Sequence, residues 1–105
     1  MFTDRLESGI VKNIKVVEWL KADLVTSLAA LFKSMLRGSE DLILDALASL
    51  MITCYILGRR LGINFPRLDL KIEEKLRQSI AEDHEMEKWY GDISNLLNYL
   101  SEKKR

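Results

Sequence analysis

A long apolar stretch near the middle of the chain decides the fold class. It lies between Ser39 and Gly62 and reads SEDLILDALASLMITCYILGRRLG. From Leu42 to Leu57 it carries a single charge, that of Asp45. Polar and apolar residues do not alternate along it with a period of two, as they would in a half-buried strand. The stretch therefore indicates a helix. A helix apolar on nearly every side is typical of one buried among several neighbours.

The ends of this helix are marked by residues that stop and start helices. Ser39 is a suitable N-cap, and Glu40 follows where the helix dipole favours negative charge. Arg59 and Arg60 suit the last turn, and Gly62 suits the stop after about Leu61. A chain of 105 residues offers few neighbours for so apolar a helix. We therefore expect part of its surface to be covered by another subunit.

A second amphipathic helix precedes this stretch. It is predicted to start near Ser8 and to run to Arg37, with Gly38 in the terminating position. Its apolar residues recur every three or four positions, as a helix that buries one side requires. The main stripe consists of Ile10, Ile14, Val17, Leu24, Leu28, Leu31 and Met35, and Val25, Phe32 and Leu36 widen it.

The rest of the chain continues the helical pattern. Asp69 is the predicted N-cap of a third helix, and a fourth follows from Met86. The apolar stripe advances by only six residues from Ile80 to Met86, which predicts a break near Asp83–His84. The only proline is Pro66, and no linker or repeat interrupts the sequence. We predict an all-α helical bundle, oligomeric, with one domain over residues 1–105.

Charge and composition limit the partners of this bundle. Lysine plus arginine and aspartate plus glutamate both number 16, so there is no net charge to attract nucleic acid. The apolar run from Leu42 to Gly58 falls short of the roughly 20 residues needed to cross a bilayer. We therefore expect a cytoplasmic protein without a membrane or nucleic-acid partner. The only cysteine, Cys54, is expected to be a small core residue.

Three aspartates could give these helices a chemical role. Asp41 and Asp45 are four residues apart and share one face of their helix. Asp23 lies midway along the preceding helix. Because a tight turn at Gly38 joins the two helices, we expect them to pack antiparallel to each other. Facing carboxylates on packed helices can hold a divalent cation. The open alternative is that Asp45 is only a helix-end charge or the partner of a lysine.

The segments ADLVTSLAAL and LILDALASLMITCYILGRRLGI resemble the two motif helices of the MazG nucleotide pyrophosphohydrolase superfamily. Over about residues 10 to 100 the chain is similar to short MazG-like proteins, whose last helix resembles HEMEKWYGDISNLLNYL. The resemblance implies an all-α fold and acids that bind Mg²⁺. It also implies an activity, the cleavage of a nucleoside triphosphate to the monophosphate and pyrophosphate.

The acidic motif that carries this activity is incomplete in the present chain. The superfamily pattern is Glu-Glu-x-x-Glu on one helix and Glu-x-x-Asp on the next. Asp23 stands at the first acid, but Leu24 and Ser27 occupy the next two acid positions. In the second motif Leu42 replaces the glutamate and Asp45 keeps the aspartate, with Asp41 one turn away.

The two apolar helices leave more apolar surface than one copy can cover, which predicts a homodimer or larger homo-oligomer. The resemblance makes Asp23, Asp45 and Asp41 the candidate Mg²⁺ ligands. A nucleoside triphosphate is the implied substrate. Too few acids remain for a two-metal mechanism with a water-activating base, so we expect weak or absent hydrolysis. The competing hypothesis is a non-catalytic assembly or regulatory protein built on the same bundle.

Overall fold

A computed structural model describes residues 2–82 and 85–103, with the side chains of residues 2–8 outside the description. The described residues are almost entirely helical and contain no strand, which confirms the all-α prediction. The helices are α1 (Phe2–Arg37), α2 (Glu40–Arg60), α3 (Phe65–Ala81), α4 (Glu85–Tyr90) and α5 (Asp92–Lys103). They form two compact units, residues 1–65 and 66–105. The single domain over residues 1–105 stays a prediction.

The connection between α1 and α2 is as short as the sequence predicts. Gly38 has a φ of 67°, a left-handed conformation that costs glycine little, and its N–H donates to the carbonyl of Met35. Ser39 then caps α2, because its hydroxyl accepts a hydrogen bond from the N–H of Leu42 at 3.4 Å. One turn therefore folds α2 back along α1, and the two helices pack as an antiparallel hairpin.

Two rows of alternately three- and four-spaced residues line the contact between α1 and α2, here called the seam. This spacing is that of a coiled coil, in which one narrow stripe of each helix faces the other. Every seam residue is buried or half-buried. On α1 the seam consists of Asn13, Val17, Leu20, Leu24, Ser27, Leu31 and Ser34, and on α2 of Ser39, Ile43, Ala46, Leu50, Thr53 and Leu57.

Small side chains fill the most buried positions of the seam. Ser34, Ala46 and Thr53 are each less than a tenth exposed. The Ser34 hydroxyl donates to the carbonyl of Ala30 at 2.7 Å, so its burial leaves no polar group unsatisfied. Short side chains allow two helix axes to approach closely, toward the lower end of the usual range of about 8–10 Å.

The predicted apolar stripe of α1 divides into two faces in the structure. Val17, Leu24 and Leu31 pack in the seam, whereas Ile14, Leu28 and the other members of the stripe remain exposed. The stripe was too wide because α1 contacts one helix, which covers only a narrow strip of its surface. Cys54, predicted to be buried, is also exposed. That prediction was wrong because, among the described helices, α1 is the one that packs along α2, and it covers a single stripe of the α2 surface.

The open end of the hairpin is closed by side chains near the end of α2. The Asn13 side-chain amide donates to the carbonyl of Arg60 at 3.3 Å, which ties α1 to the last turn of α2. Phe65 stacks edge-on against Tyr55, with ring centroids 5.9 Å apart, and the Arg59 guanidinium lies over the same ring. The bond from Asn13 fixes the register of the two helices at the end opposite the turn, and the Phe65 contacts hold the chain that follows α2 against that helix.

Several predicted helix boundaries differ from the structure. α1 begins at Phe2 and not near Ser8, and α3 begins at Phe65 and not after Asp69. Pro66 is compatible with this early start, because the first turn of a helix does not need its N–H. The predicted break after α3 is confirmed, although Asp83 and His84 themselves lie outside the described residues. A second break, at Gly91, was not predicted.

Glu87 of α4 holds the start of α5 across that second break. Gly91 adopts a φ of 66°, and the carboxylate of Glu87 then accepts hydrogen bonds from both the N–H of Ser94, at 3.0 Å, and its hydroxyl. These bonds favour the charged form, so they lower the pKa of Glu87 below its usual value of 4.5. Ile93 and Leu97 are the buried apolar residues of α5.

Among the described helices, α2 alone is long and apolar enough to cross a membrane by length and composition. It has 21 residues, so it is longer than the Leu42–Gly58 run on which the expectation of no span was based. Core helices of soluble bundles have the same length and composition. Packing of α2 along α1 is the arrangement that this structure describes.

The Glu87 contact predicts a pH-dependent loss of stability. Because its pKa is lower in the folded state, its contribution is present above pH 4.5 and is lost as the pH falls through the folded value. We expect Glu87→Gln to flatten the fall in melting temperature below pH 4.5, measured by circular dichroism. Glu85→Gln, an exposed acid of the same helix, serves as the control. If the melting temperature of Glu87→Gln fell below pH 4.5 as steeply as that of the wild type, the contribution of Glu87 to stability would be contradicted.

Candidate functional site

The candidate acids lie together on one face of the α1–α2 hairpin. Asp23 immediately precedes the seam residue Leu24, and Asp45 immediately precedes Ala46. In an antiparallel pair of right-handed helices, the residues that immediately precede seam positions lie on one face of the pair, whichever helix they belong to. The residues that immediately follow seam positions lie on the opposite face. We call the face with the preceding residues the acidic face. Asp23, Asp41 and Asp45 are all exposed there, and none has a hydrogen bond or ion pair within the described residues.

The register of the hairpin keeps Asp23 away from Asp45. The turn places the end of α1, Arg37, level with the start of α2, Glu40. At the other end of the hairpin, the hydrogen bond from Asn13 places that residue level with Arg60. Asp45 is therefore level with residues near position 30 of α1. It follows that Asp23 lies about seven residues farther along the helix, which is ~10 Å along the axis. Asp41 is one turn closer to the hairpin turn, so the three carboxylates extend along the face and do not converge.

The motif positions that face the seam hold no acid. Leu24 and Ser27 occupy two of the acid positions of the superfamily pattern, and both are half-buried against α2. Leu42, in place of the glutamate of the second motif, lies at the edge of the seam and is 45% exposed. The aspartates that remain point to solvent. The space between the helices is thus lined with apolar and hydroxyl groups. A metal site between the helices would need paired carboxylates there.

These residues do not fit a Mg²⁺ centre within one chain. Mg²⁺ requires oxygen ligands at about 2 Å in an octahedral arrangement. Asp41 and Asp45, one turn apart, could contribute to one hydrated ion, but Asp23 is too distant to join them. In the part of the chain that the structure describes, no three histidine, cysteine, aspartate or glutamate residues are grouped so as to hold a metal. The ligand set Asp23, Asp45 and Asp41 stays a prediction.

The sequence did not reveal a second exposed surface on the opposite side of the hairpin. Residues that follow the seam positions, such as Leu28 after Ser27 and Leu47 after Ala46, emerge together on that side. They are apolar and exposed. The signal was present as a second row of three- and four-spaced apolar residues on each helix. The predicted apolar stripe combined this second row with the seam, because the two rows are adjacent on the helix surface.

Comparison with known proteins supports the resemblance of the motif helices. The family model described as the MazG-like family matches residues 10–93, which include the whole seam and all three candidate acids. Neither the characterised proteins nor the solved structures gave a significant match.

The spread of the acids predicts which variants alter metal binding. We expect Mg²⁺ or Mn²⁺ to raise the melting temperature only at millimolar concentration, because at most two carboxylates can share an ion. Asp41→Asn and Asp45→Asn should abolish that shift, whereas Asp23→Asn should retain it. Leu42→Glu adds a carboxylate three residues from Asp45 and should strengthen the shift. Loss of the metal effect in Asp23→Asn would show that the three acids converge after all.

Proposed function

Because the chain belongs to the MazG-like family, we propose that it keeps the helical scaffold of the Mg²⁺-dependent nucleoside triphosphate pyrophosphohydrolases but catalyses their reaction weakly or not at all. Proteins of this family are generally dependent on divalent cations. We further propose that the protein acts as a homo-oligomer in the cytoplasm. Any nucleotide substrate would be a nucleoside triphosphate.

One observation carries this proposal, namely the exchange of acids for neutral residues at the positions that face the seam. Pyrophosphohydrolysis requires cations that clamp the phosphates and a base that activates the attacking water. Leu24 and Ser27 provide neither, and Asp23 and Asp45 are about 10 Å apart along the helix axis. The remaining side chains support weak cation binding through Asp41 and Asp45, and we assign no catalytic step to them.

The second candidate function is a non-catalytic assembly or regulatory role. The exposed apolar surface of the hairpin favours it, because large exposed apolar patches mark interaction sites. This role needs only the helical scaffold, which is intact. The two candidates differ in one measurable property, the turnover of a nucleoside triphosphate.

Pyrophosphate release decides between weak and absent catalysis. We expect turnover below about 10⁻² s⁻¹ for each member of a panel of ribo- and deoxyribonucleoside triphosphates, two orders of magnitude below the slow end of typical enzymes. The assay should measure pyrophosphate with 10 mM Mg²⁺ and again with Mn²⁺, beside a protein-free control.

The aspartate variant separates genuine activity from contamination. Any residual turnover that belongs to this protein should fall in Asp45→Asn, which keeps the side-chain shape and removes the charge. Turnover of about 1 s⁻¹ or more in the wild type, lost in Asp45→Asn, would contradict the proposal and establish an active enzyme with an altered acid set.

A further inference from the structure

The short helix α4 carries two exposed aromatic rings, and we propose that they form a docking surface for a basic peptide segment of a partner protein. Trp89 is 69% exposed and Tyr90 is 70% exposed. Tryptophan and tyrosine are the side chains that most often anchor protein interfaces, because they bury a large, rigid area. The inference goes beyond the proposed function, since these residues lie in the unit of residues 66–105 and not in the α1–α2 hairpin.

The turn between α4 and α5 holds α4 in a defined orientation. Gly91 adopts a φ of 66°, and its N–H donates to the carbonyl of Glu87 at 3.0 Å, which ends α4. The Glu87 carboxylate accepts hydrogen bonds from the N–H and the hydroxyl of Ser94, so this side chain faces α5. A partner therefore meets rings on a helix that is already fixed, which lowers the entropic cost of binding.

Four residues of α4 form what we call its outer face, namely Glu85, Met86, Trp89 and Tyr90. Residues four apart are neighbours on a helix, so Glu85 lies beside Trp89 and Met86 lies beside Tyr90. All four are exposed, whereas Glu87 is half-buried. The outer face thus combines two aromatic rings, a thioether and one carboxylate.

The two rings and the carboxylate favour a cation. The Trp89 and Tyr90 rings meet edge-on, with centroids 6.4 Å apart and planes at 90°. The face of an aromatic ring has a negative potential that attracts the ammonium of lysine or the guanidinium of arginine. Glu85 adds a formal negative charge one turn before Trp89, and it has no hydrogen bond or ion pair within the described residues. A ring beside a free carboxylate is complementary to a basic side chain.

The charge of the surrounding segment selects among the possible occupants. The sequence of residues 82–92, EDHEMEKWYGD, contains five acids and one lysine, although acids and bases are balanced over the whole chain. An anionic membrane or a nucleic acid would be repelled by this excess of acids. The same face of a second copy would be repelled as well. A segment rich in arginine or lysine would be attracted, and its side chains could lie over the rings.

The two tryptophans of the chain provide a matched internal control. Trp19 of α1 is 64% exposed, close to the value for Trp89. Its surroundings differ in charge, because residues 12–23 contain three lysines and two acids. A peptide that binds any exposed ring would perturb both indoles, whereas one that requires the acidic surroundings would perturb Trp89 alone.

Nuclear magnetic resonance of the ¹⁵N-labelled full chain tests the proposal through the indole N–H signals, which a Trp19→Phe variant assigns. The probe is a peptide of alternating arginine and glycine, and the control peptide has glutamate in place of arginine. We expect the arginine peptide to shift the Trp89 signal to saturation and to leave the Trp19 signal in place. The glutamate peptide should shift neither. The shift should weaken as salt is added, because salt screens exposed charges.

Variants of the outer face separate the contributions of ring and carboxylate. Trp89→Leu and Glu85→Gln should each weaken binding of the fluorescently labelled arginine peptide by about 2–5-fold, measured by anisotropy. Trp19→Leu, which removes the same ring from α1, should leave the affinity unchanged. All three positions are exposed, so the variants should keep the helical circular dichroism of the wild type.

Other outcomes would overturn this docking surface. The proposal fails if the arginine peptide shifts neither indole, shifts both equally, or binds Trp89→Leu and Glu85→Gln as tightly as the wild type. An equal response of Trp89 to the glutamate peptide would show that charge does not select the partner. A Trp89 shift with neutral phosphatidylcholine vesicles, and none with the arginine peptide, would identify a lipid surface as the occupant.

Discussion

The register of the α1–α2 hairpin is the constraint on which the other features of this protein depend. It is fixed at one end by the left-handed Gly38 and the Ser39 cap, and at the other by the bond from Asn13 to the carbonyl of Arg60. Between these points the seam repeats at coiled-coil spacing, so every other residue has a defined side. The same register places the remaining acids on one face and an apolar surface on the other.

This division gives the two faces different physical properties. The acidic face is mixed, because the exposed apolar side chains of Trp19 and Ile52 lie on the same side of the seam as its carboxylates. The exposed apolar residues on the opposite side of the hairpin do not contact the seam, and the acids do not contact them. Substitutions on one side of the seam should therefore leave the other side unchanged.

Much of the hairpin could be predicted from the sequence, because its signals are local. Gly38, Ser39 and Gly62 mark helix ends through backbone conformation and capping, and the structure places them there. The start of α3 was misplaced because Asp69 resembles an N-cap, while Pro66 fits a first turn equally well. The break at Gly91 was missed because its key contact forms across the turn, where the Glu87 carboxylate accepts hydrogen bonds from the N–H and the hydroxyl of Ser94.

The candidate site was predictable in composition but not in geometry. The sequence identified Asp23, Asp41 and Asp45, and their separation depends on the register, which no single residue encodes. The exposure of Cys54 likewise depends on how many helices surround α2, a property of the packing and not of the local pattern.

The small residues of the seam determine what a carboxylate placed between the two helices would cost. Ser34, Ala46 and Thr53 allow α1 and α2 to lie close together, and Leu24 and Ser27 pack in the same narrow space. A glutamate at position 24 or 27 would need either a wider gap or a cation to neutralise it on entry. Each acid introduced alone would therefore destabilise the hairpin. The close packing of the seam thus limits which side chains these two positions accept, independently of any chemistry they could perform.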